Sequence, residues 1–248
     1  MVDLTSRVHV VIPARDEEQA LPSVLDGLAG HAATVIVVDN GSVDRTAEVA
    51  RAHGAVVVRE PRLGYGTACL AGLATLRDAA DDDVVAFFDA DGSDDPLLLE
   101  QLVDPVIRGV ADLVLASRTL APGEVGALTL GQRLGNRIAC SLVSLFWGVK
   151  YTDLAPCRAL SMGALKSLQM DAPDFGWTVE MQIRAARQGL RITEIPSRYR
   201  RRRGGELKIS GTFSGSIRAG STILWVIGRE LFLGGGRGRR GRRSGGSG

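Results

Sequence analysis

The segment FFDADGSDDP places Asp89, Asp91, Asp94 and Asp95 directly after an apolar run, and Gly92 permits a tight turn there. Two carboxylates two residues apart at a strand end can share one divalent cation while leaving positions open for phosphate oxygens. Asp89 and Asp91 are therefore candidate ligands for Mg²⁺ or Mn²⁺, and such a cation would neutralise a departing diphosphate. An aspartate-rich loop also caps helices, and Asp94 or Asp95 suits that role ahead of the helical pattern that begins near Pro96.

Two further loops carry polar groups after short apolar runs, VIPARDEE and VVDNGSVDRTAEVA. Asp39 can accept a hydrogen bond from a ring nitrogen of uracil or guanine, so it does not separate the two bases. Asp39 and Asn40 equally suit a turn before a helix capped by Ser42. Arg15 and Glu17 equally fit a solvated helix start. In EPRLGYGTACLAG, Gly64 and Gly66 are followed by Gly72 six residues on, which is not the spacing of a dinucleotide-binding loop. Either Gly64 and Gly66 let the backbone approach a ligand whose phosphates lie near Arg62, or they form a plain helix-entry turn.

The elements that must position these loops follow from periodicity. Val8 to Ile12, Thr34 to Val38, Ala55 to Arg59, Val84 to Phe88 and Asp112 to Ala116 read as buried strands. Helical spacing occupies Glu17 to Leu28, Asp44 to His53, Gly66 to Ala79 and Pro96 to Ile107. Strands buried on both faces that alternate with helices make a doubly wound, mostly parallel α/β sheet with helices on both faces. Ligands collect at the carboxyl ends of such strands, where the three polar loops should converge. After Ser117 the pattern turns to longer helices, Gln132 to Trp147, Gly163 to Leu168 and Thr178 to Gln188, then a strand at Arg191 to Ile195. Gly211 to Leu233 is again helix-like. The expected organisation is one domain over residues 1–233, with halves at 1–117 and 118–233, and a basic tail at 234–248 that is disordered in isolation.

Composition bounds the function. With 45% hydrophobic and 23% charged residues, the chain is neither disordered nor fibrous. Three widely spaced cysteines and no secretory leader point to reduced thiols in the cytoplasm. His9, His31 and His53 lack metal-ligand spacing, and no cysteine pairs with a histidine or acid as thiol catalysis requires. Net charge is only +2, but Arg200 to Arg203 are consecutive and the last twelve residues hold five arginines and no acid. A solvated edge accounts for many such clusters. Aromatics are 5% of the chain and do not interleave with the basic segments, so nucleic acid is not an expected partner.

Taken in order, VIPARDEE, VVDNGSVDRTAEVA, EPRLGYGTACLAG and DADGSDDP resemble the family 2 glycosyltransferases of the GT-A fold across residues 8–120. The resemblance implies a nucleotide-diphosphate sugar donor flanked by Pro13, Arg15 and Glu17, with Asp39 at the base. It implies that Asp89, Ala90 and Asp91 meet the ribose-diphosphate and the metal, and it sets Arg62 and Gly64 on the donor side. Further on, ASRTL, GQRLGNRIA, TDLAPCRAL, FGWTVEMQIRAARQGLRI and YRRRRGGELKISGT look like the dolichyl- or polyprenyl-phosphate mannosyl and glucosyl transferases within that family. That likeness extends to about residue 228 and implies that Arg118, Arg133 and Arg203 bind an acceptor phosphate, with Lys208 in the same late loop. A phosphate is ionised at neutral pH and attacks without a strong base; a hydroxyl acceptor would need one, and Asp153, then Glu180, is the candidate. The chain departs from the subgroup at Leu207, where a serine beside the lysine is common, and at Asn136, near where a phosphate-binding hydroxyl is expected, although Ser141 and Ser144 are close.

The resemblance implies an inverting, metal-dependent hexose transfer from a UDP or GDP sugar to a polyprenyl phosphate. The alternatives are the same donor chemistry on a soluble or lipid-linked hydroxyl, or a silent nucleotide-sugar-binding protein. A lipid acceptor requires peripheral contact with an anionic membrane at its inner face. The helix carrying Phe213, Ile217, Leu224 and Trp225, followed by Arg237, Arg239, Arg240, Arg242 and Arg243, suits that contact, as it equally suits packing on the core. Arg229 and Glu230 interrupt the apolar stretch before it reaches the ~20 residues of a membrane span.

Overall fold

The computed structural model describes residues 7–202 and 213–234, with backbone alone at 213–218 and at 234. Arg203, Lys208, Leu207, the side chains of Phe213 and Ile217 and the tail arginines thus lie outside the described residues.

Seven strands form one sheet in the order β3-β2-β1-β4-β6-β5-β7. β1 (Val8–Ala14), β2 (Thr34–Asp39), β3 (Val56–Arg59) and β4 (Val84–Phe87) are mutually parallel. β5 (Leu113–Ser117) pairs in parallel with β7 (Ile192–Pro196). Between the two groups lies β6 (Arg158–Ser161), antiparallel to both β4 and β5. Periodicity misses β6 because RALS is four residues long, holds no β-branched residue and begins on an arginine. Two reversals across β6 restore the direction of β5, so the carboxyl ends of β4 and β5 share one edge, two strand spacings or roughly 10 Å apart.

The central strands are apolar runs because both faces are covered. Val10 and Ile12 face one layer with α1 (Leu21–Leu28) and α4 (Leu98–Ile107). Val11, Ile36, Val38 and Phe87 face the other, packed against α3 (Tyr65–Leu73), α5 (Leu130–Trp147), α6 (Met162–Leu168), α7 (Gly176–Gln188) and α8 (Phe213–Gly234). The remaining helix, α2 (Thr46–Ala52), packs on α1 and β3. Two helices are shorter than their patterns by four residues or more. α1 begins at Leu21 because Glu17 to Ala20 form a turn and Pro22 sits in the first helical turn, where its missing N–H costs nothing. α3 ends at Leu73 and tightens into a 3-10 turn at Ala74–Leu76. Among the described residues no helix is long and apolar enough to cross a membrane.

Candidate active site

The loop after β1 and the loop after β2 lock together. Ser42 Oγ accepts from the Asp16 amide at 3.0 Å, Asp16 Oδ1 from the Val43 amide at 2.7 Å, and Thr46 Oγ1 from the Glu17 amide at 2.7 Å. Asp39 closes its own turn, accepting from the Ser42 amide at 2.9 Å. Asn40 fastens the next loop: its Nδ2 donates to the Glu60 and Arg62 carbonyls at 2.9 and 2.8 Å, and its Oδ1 accepts from the Gly64 amide at 2.9 Å. Arg62 folds onto Glu60 through Nε and Nη2, both at 3.0 Å, which holds the Glu60 carboxyl down at about 2. The two glycines serve a protein contact. A Cβ at Gly66 would stand 1.9 Å from the Ala172 carbonyl oxygen, and one at Gly64 would stand 2.3 Å from that of Pro173. Close approach there is to the 172–173 backbone.

After β4 the carboxylates gather. Asp91 Oδ1 accepts from the Ser93 amide at 3.0 Å and from Ser93 Oγ at 2.5 Å. Asp94 is buried, and neither of its carboxyl oxygens finds a partner in good geometry. Burial, outweighing the nearby Arg118, pushes its carboxyl up to about 7. Asp89, half-buried, is raised well above the usual carboxylate range, first by desolvation and then by Asp91 and Asp94. Arg202 is the cation that reaches in, bonding Glu17 and lying 3.7 Å from Asp91.

After β5, Arg118 meets Asp153. The Arg118 amide and Nε donate to Oδ2 at 2.8 and 2.7 Å, and Nη2 donates to Oδ1 at 2.7 Å. Asp153 is completely buried; burial works against charge on Arg118, and Asp153 outweighs it. Tyr199 lies over the guanidinium at 5.3 Å. The loop that carries Asp153 is held by Asn136, whose Nδ2 donates to the Thr152 carbonyl at 3.3 Å and whose Oδ1 accepts from the Leu154 amide at 2.8 Å. Asn136, near where the resemblance leads one to expect a phosphate-binding hydroxyl, thus fastens this loop and also lines the cavity at this edge. The buried Arg158 donates to the carbonyls of Pro156, at 3.3 Å, and Thr178, at 3.1 Å, pinning the same loop to α7.

A cavity of about 1330 Å³ opens at this edge, and its wall brings Asp89, Asp91, Arg118 and Arg133 together. Arg137, Lys150 and Tyr199, which sequence reasoning does not single out as site residues, share that wall. Helical spacing on α5 is the signal that would find Arg137, one turn beyond Arg133. Pro13, Arg15, Glu17, Asp39, Arg62, Gly64 and Ala90 are not on the wall; Pro13 and Asp39 lie at the ends of β1 and β2, and the others belong to the loops of the same sheet edge. Asp153 stands behind Arg118. Glu180 is fully buried between α7 and α8, accepting from the amides of Asp171 and Ala172 at 3.2 and 2.9 Å.

The family model described as Glycosyl transferase family 2 matches residues 9–168. An uncharacterized glycosyltransferase of Mycobacterium tuberculosis is 40% identical over 220 residues, 86% of this chain and 94% of that protein. An undecaprenyl-phosphate mannosyltransferase of Micrococcus luteus is 32% identical over 221 residues, 84% of this chain and 90% of its own. The structure of glucosyl-3-phosphoglycerate synthase from Mycobacterium tuberculosis, in complex with Mn²⁺, UDP and glucosyl-3-phosphoglycerate, superposes with a TM-score of 0.70 at 26% identity, covering 91% of this chain and 83% of the synthase. The sheet is that of the GT-A fold. Because the family match spans well over half of the sequence and these relatives align along most of their own length, the chain belongs to glycosyl transferase family 2 and is a glycosyltransferase.

Proposed function

We propose that the enzyme moves a hexose, with inversion, from a UDP or GDP sugar to a polyprenyl phosphate. The observation that carries this reading is that one cavity wall holds both the carboxylates Asp89 and Asp91 and the arginines Arg118 and Arg133. The acceptor phosphate oxygen attacks the anomeric carbon, the bond from that carbon to the diphosphate breaks, and its electron pair leaves with the nucleoside diphosphate. No proton has to be removed from the nucleophile. Arg118, held by Asp153, and Arg133 orient the phosphate and offset its repulsion from the donor. Pro13, Arg15, Glu17, Asp39, Arg62 and Gly64 frame the donor from the adjoining loops, and Arg203 and Lys208 are proposed to complete the acceptor side.

The carboxylate loop fits a divalent cation. Burial and mutual repulsion leave Asp89 and Asp94 without enough compensating charge, which is the environment a cation relieves. Among the described residues no three acidic, histidine or cysteine side chains form a closed cage, so Asp89 and Asp91 would be joined by diphosphate oxygens and water. When bound, Mg²⁺ or Mn²⁺ supplies charge neutralisation of the departing diphosphate. The Mn²⁺ and UDP named with the mycobacterial synthase support this assignment, and the name of the Micrococcus relative supports the lipid acceptor. The proposed setting is the inner face of an anionic membrane, contacted peripherally through α8.

Calorimetry of UDP and of GDP, each with and without Mn²⁺, tests the donor site. One nucleotide should bind the wild type in a metal-dependent manner, with that binding lost in Asp91→Ala; absence of binding by either sinks the reading. Labelled product should move into the organic phase when a prenyl phosphate is offered.

The product named with the synthase favours a second reading, a soluble acceptor that attacks through a hydroxyl. That chemistry needs a base, and both oxygens of Asp153 are occupied by Arg118. The lipid phosphate reading needs none.

A further inference from the structure

Helix α5 divides its circumference among three environments. Ala139, Cys140 and Val143 are buried in the core, while Arg133, Asn136, Arg137 and Ser144 line the cavity. The third face carries Leu130, Leu134, Ile138 and Leu145, with Ser141 the polar residue among them. At 100° per residue those positions fall in one stripe, about 22 Å long at 1.5 Å per residue. They are 85%, 61%, 46% and 73% exposed. A water-facing helix places polar residues there, and this one places its leucines there.

Charge says what the stripe meets. None of the 18 residues of α5 is acidic, Arg133 and Arg137 border the stripe, and Lys150 follows just beyond the helix. Leu145 belongs to both the stripe and the cavity wall, so the apolar face runs into the cavity. α8 packs on α5 and adds exposed Leu224 and Trp225, whereas its Glu230 is fully buried. A second copy docked symmetrically on this face would bring Arg133 and Arg137 toward their own counterparts with no acid on the helix to offset them.

We propose that the outward stripe of α5 is a membrane-docking surface, seating the enzyme on an anionic lipid bilayer with the basic rim of the cavity toward the headgroups. The leucines and Ile138 enter the interface, and the arginines and Lys150 meet lipid phosphates. The inference rests on the polyprenyl-phosphate reading only for why the cavity should open on a bilayer; docking itself needs no substrate.

Co-sedimentation of the full-length protein with phosphatidylglycerol-rich vesicles, and with pure phosphatidylcholine vesicles, tests it. Wild type should bind the anionic vesicles in a salt-sensitive manner. Leu134→Gln/Ile138→Gln, at exposed positions off the cavity wall, should lose about ten-fold or more in partitioning with an unchanged circular dichroism spectrum. Wild type that ignores both vesicles overturns the proposal, as does a double variant that binds like wild type while Trp225→Gln does not. A double variant that binds normally but turns a dimer into a monomer by light scattering assigns the stripe to a second copy and also overturns it. A short, water-soluble prenyl phosphate separates the two claims. Stripe-dependent vesicle binding without any transfer to that acceptor leaves docking standing and removes the acceptor reading; transfer without vesicle binding does the reverse.

Discussion

At the scale of single residues, the site is governed by how each charge is compensated. Asp153 gives both carboxyl oxygens to Arg118, so Asp153→Asn should lower kcat/KM by about 10²- to 10³-fold, the effect of breaking one buried ion pair. If Asp153 only positions Arg118, nucleotide binding by calorimetry and the shape of the pH–rate profile should both survive; loss of an acid limb from that profile would make it a base. Asp94 has the opposite problem, a buried carboxyl without a good partner. Its folded form holds a proton up to about 7, whereas the unfolded chain releases it near 3.8. Between those values the folded state binds more protons, so this group's contribution to stability is fully present below about pH 4 and declines as pH rises toward 7. Thermal melts of the metal-free protein should show that decline, and Asp94→Asn should flatten it.

At the scale of elements, close backbone approach matters more than left-handed geometry. α3 meets the 172–173 segment where only a glycine fits, and Gly66→Ala should cost about 2–4 kcal/mol in urea unfolding, because backbone must move. Gly54 has φ +79 with open space around its missing Cβ, so Gly54→Ala carries only the left-handed penalty of about 1–2 kcal/mol. Most elements were legible from periodicity. β1, β2, β3, β4 and β5 are marked by β-branched or apolar runs, and DADGSDDP, set at the end of β4, by its carboxylates. β6 was not legible, because its four residues gain their strand character from lying between β4 and β5 and not from their own side chains.

At the scale of the whole molecule, α8 is fastened to α7 by a buried ionic network. Glu230 is fully buried and accepts from Arg184 at 2.9 Å, Arg187 at 2.7 Å and Arg229 at 3.1 Å. Glu230→Gln removes the carboxylate shared by the three guanidinium groups, although Arg184 and Arg229 keep Asp171 and Glu180, and should destabilise the fold by about 3 kcal/mol in urea unfolding. Ala219, Gly220 and Ile223 of α8 form part of the cavity wall, so transfer should weaken in parallel, measurable at a temperature where the variant remains folded.

By itself the sequence determined the strand and helix alternation, the carboxylate loop, the two other polar loops of the same sheet edge and the arginines that follow. Those are local matters, since burial on two faces demands continuous apolar runs and turns demand glycine, aspartate or asparagine. Which arginines share a wall with Asp89 was decided only by the tertiary structure. β6 reverses direction twice between β4 and β5 and thereby brings Arg118 to the carboxylate edge, while α5 lays Arg133 and Arg137 along the same cavity and turns its leucines outward. Such relations join residues tens of positions apart, and no local pattern encodes a distance across the sheet.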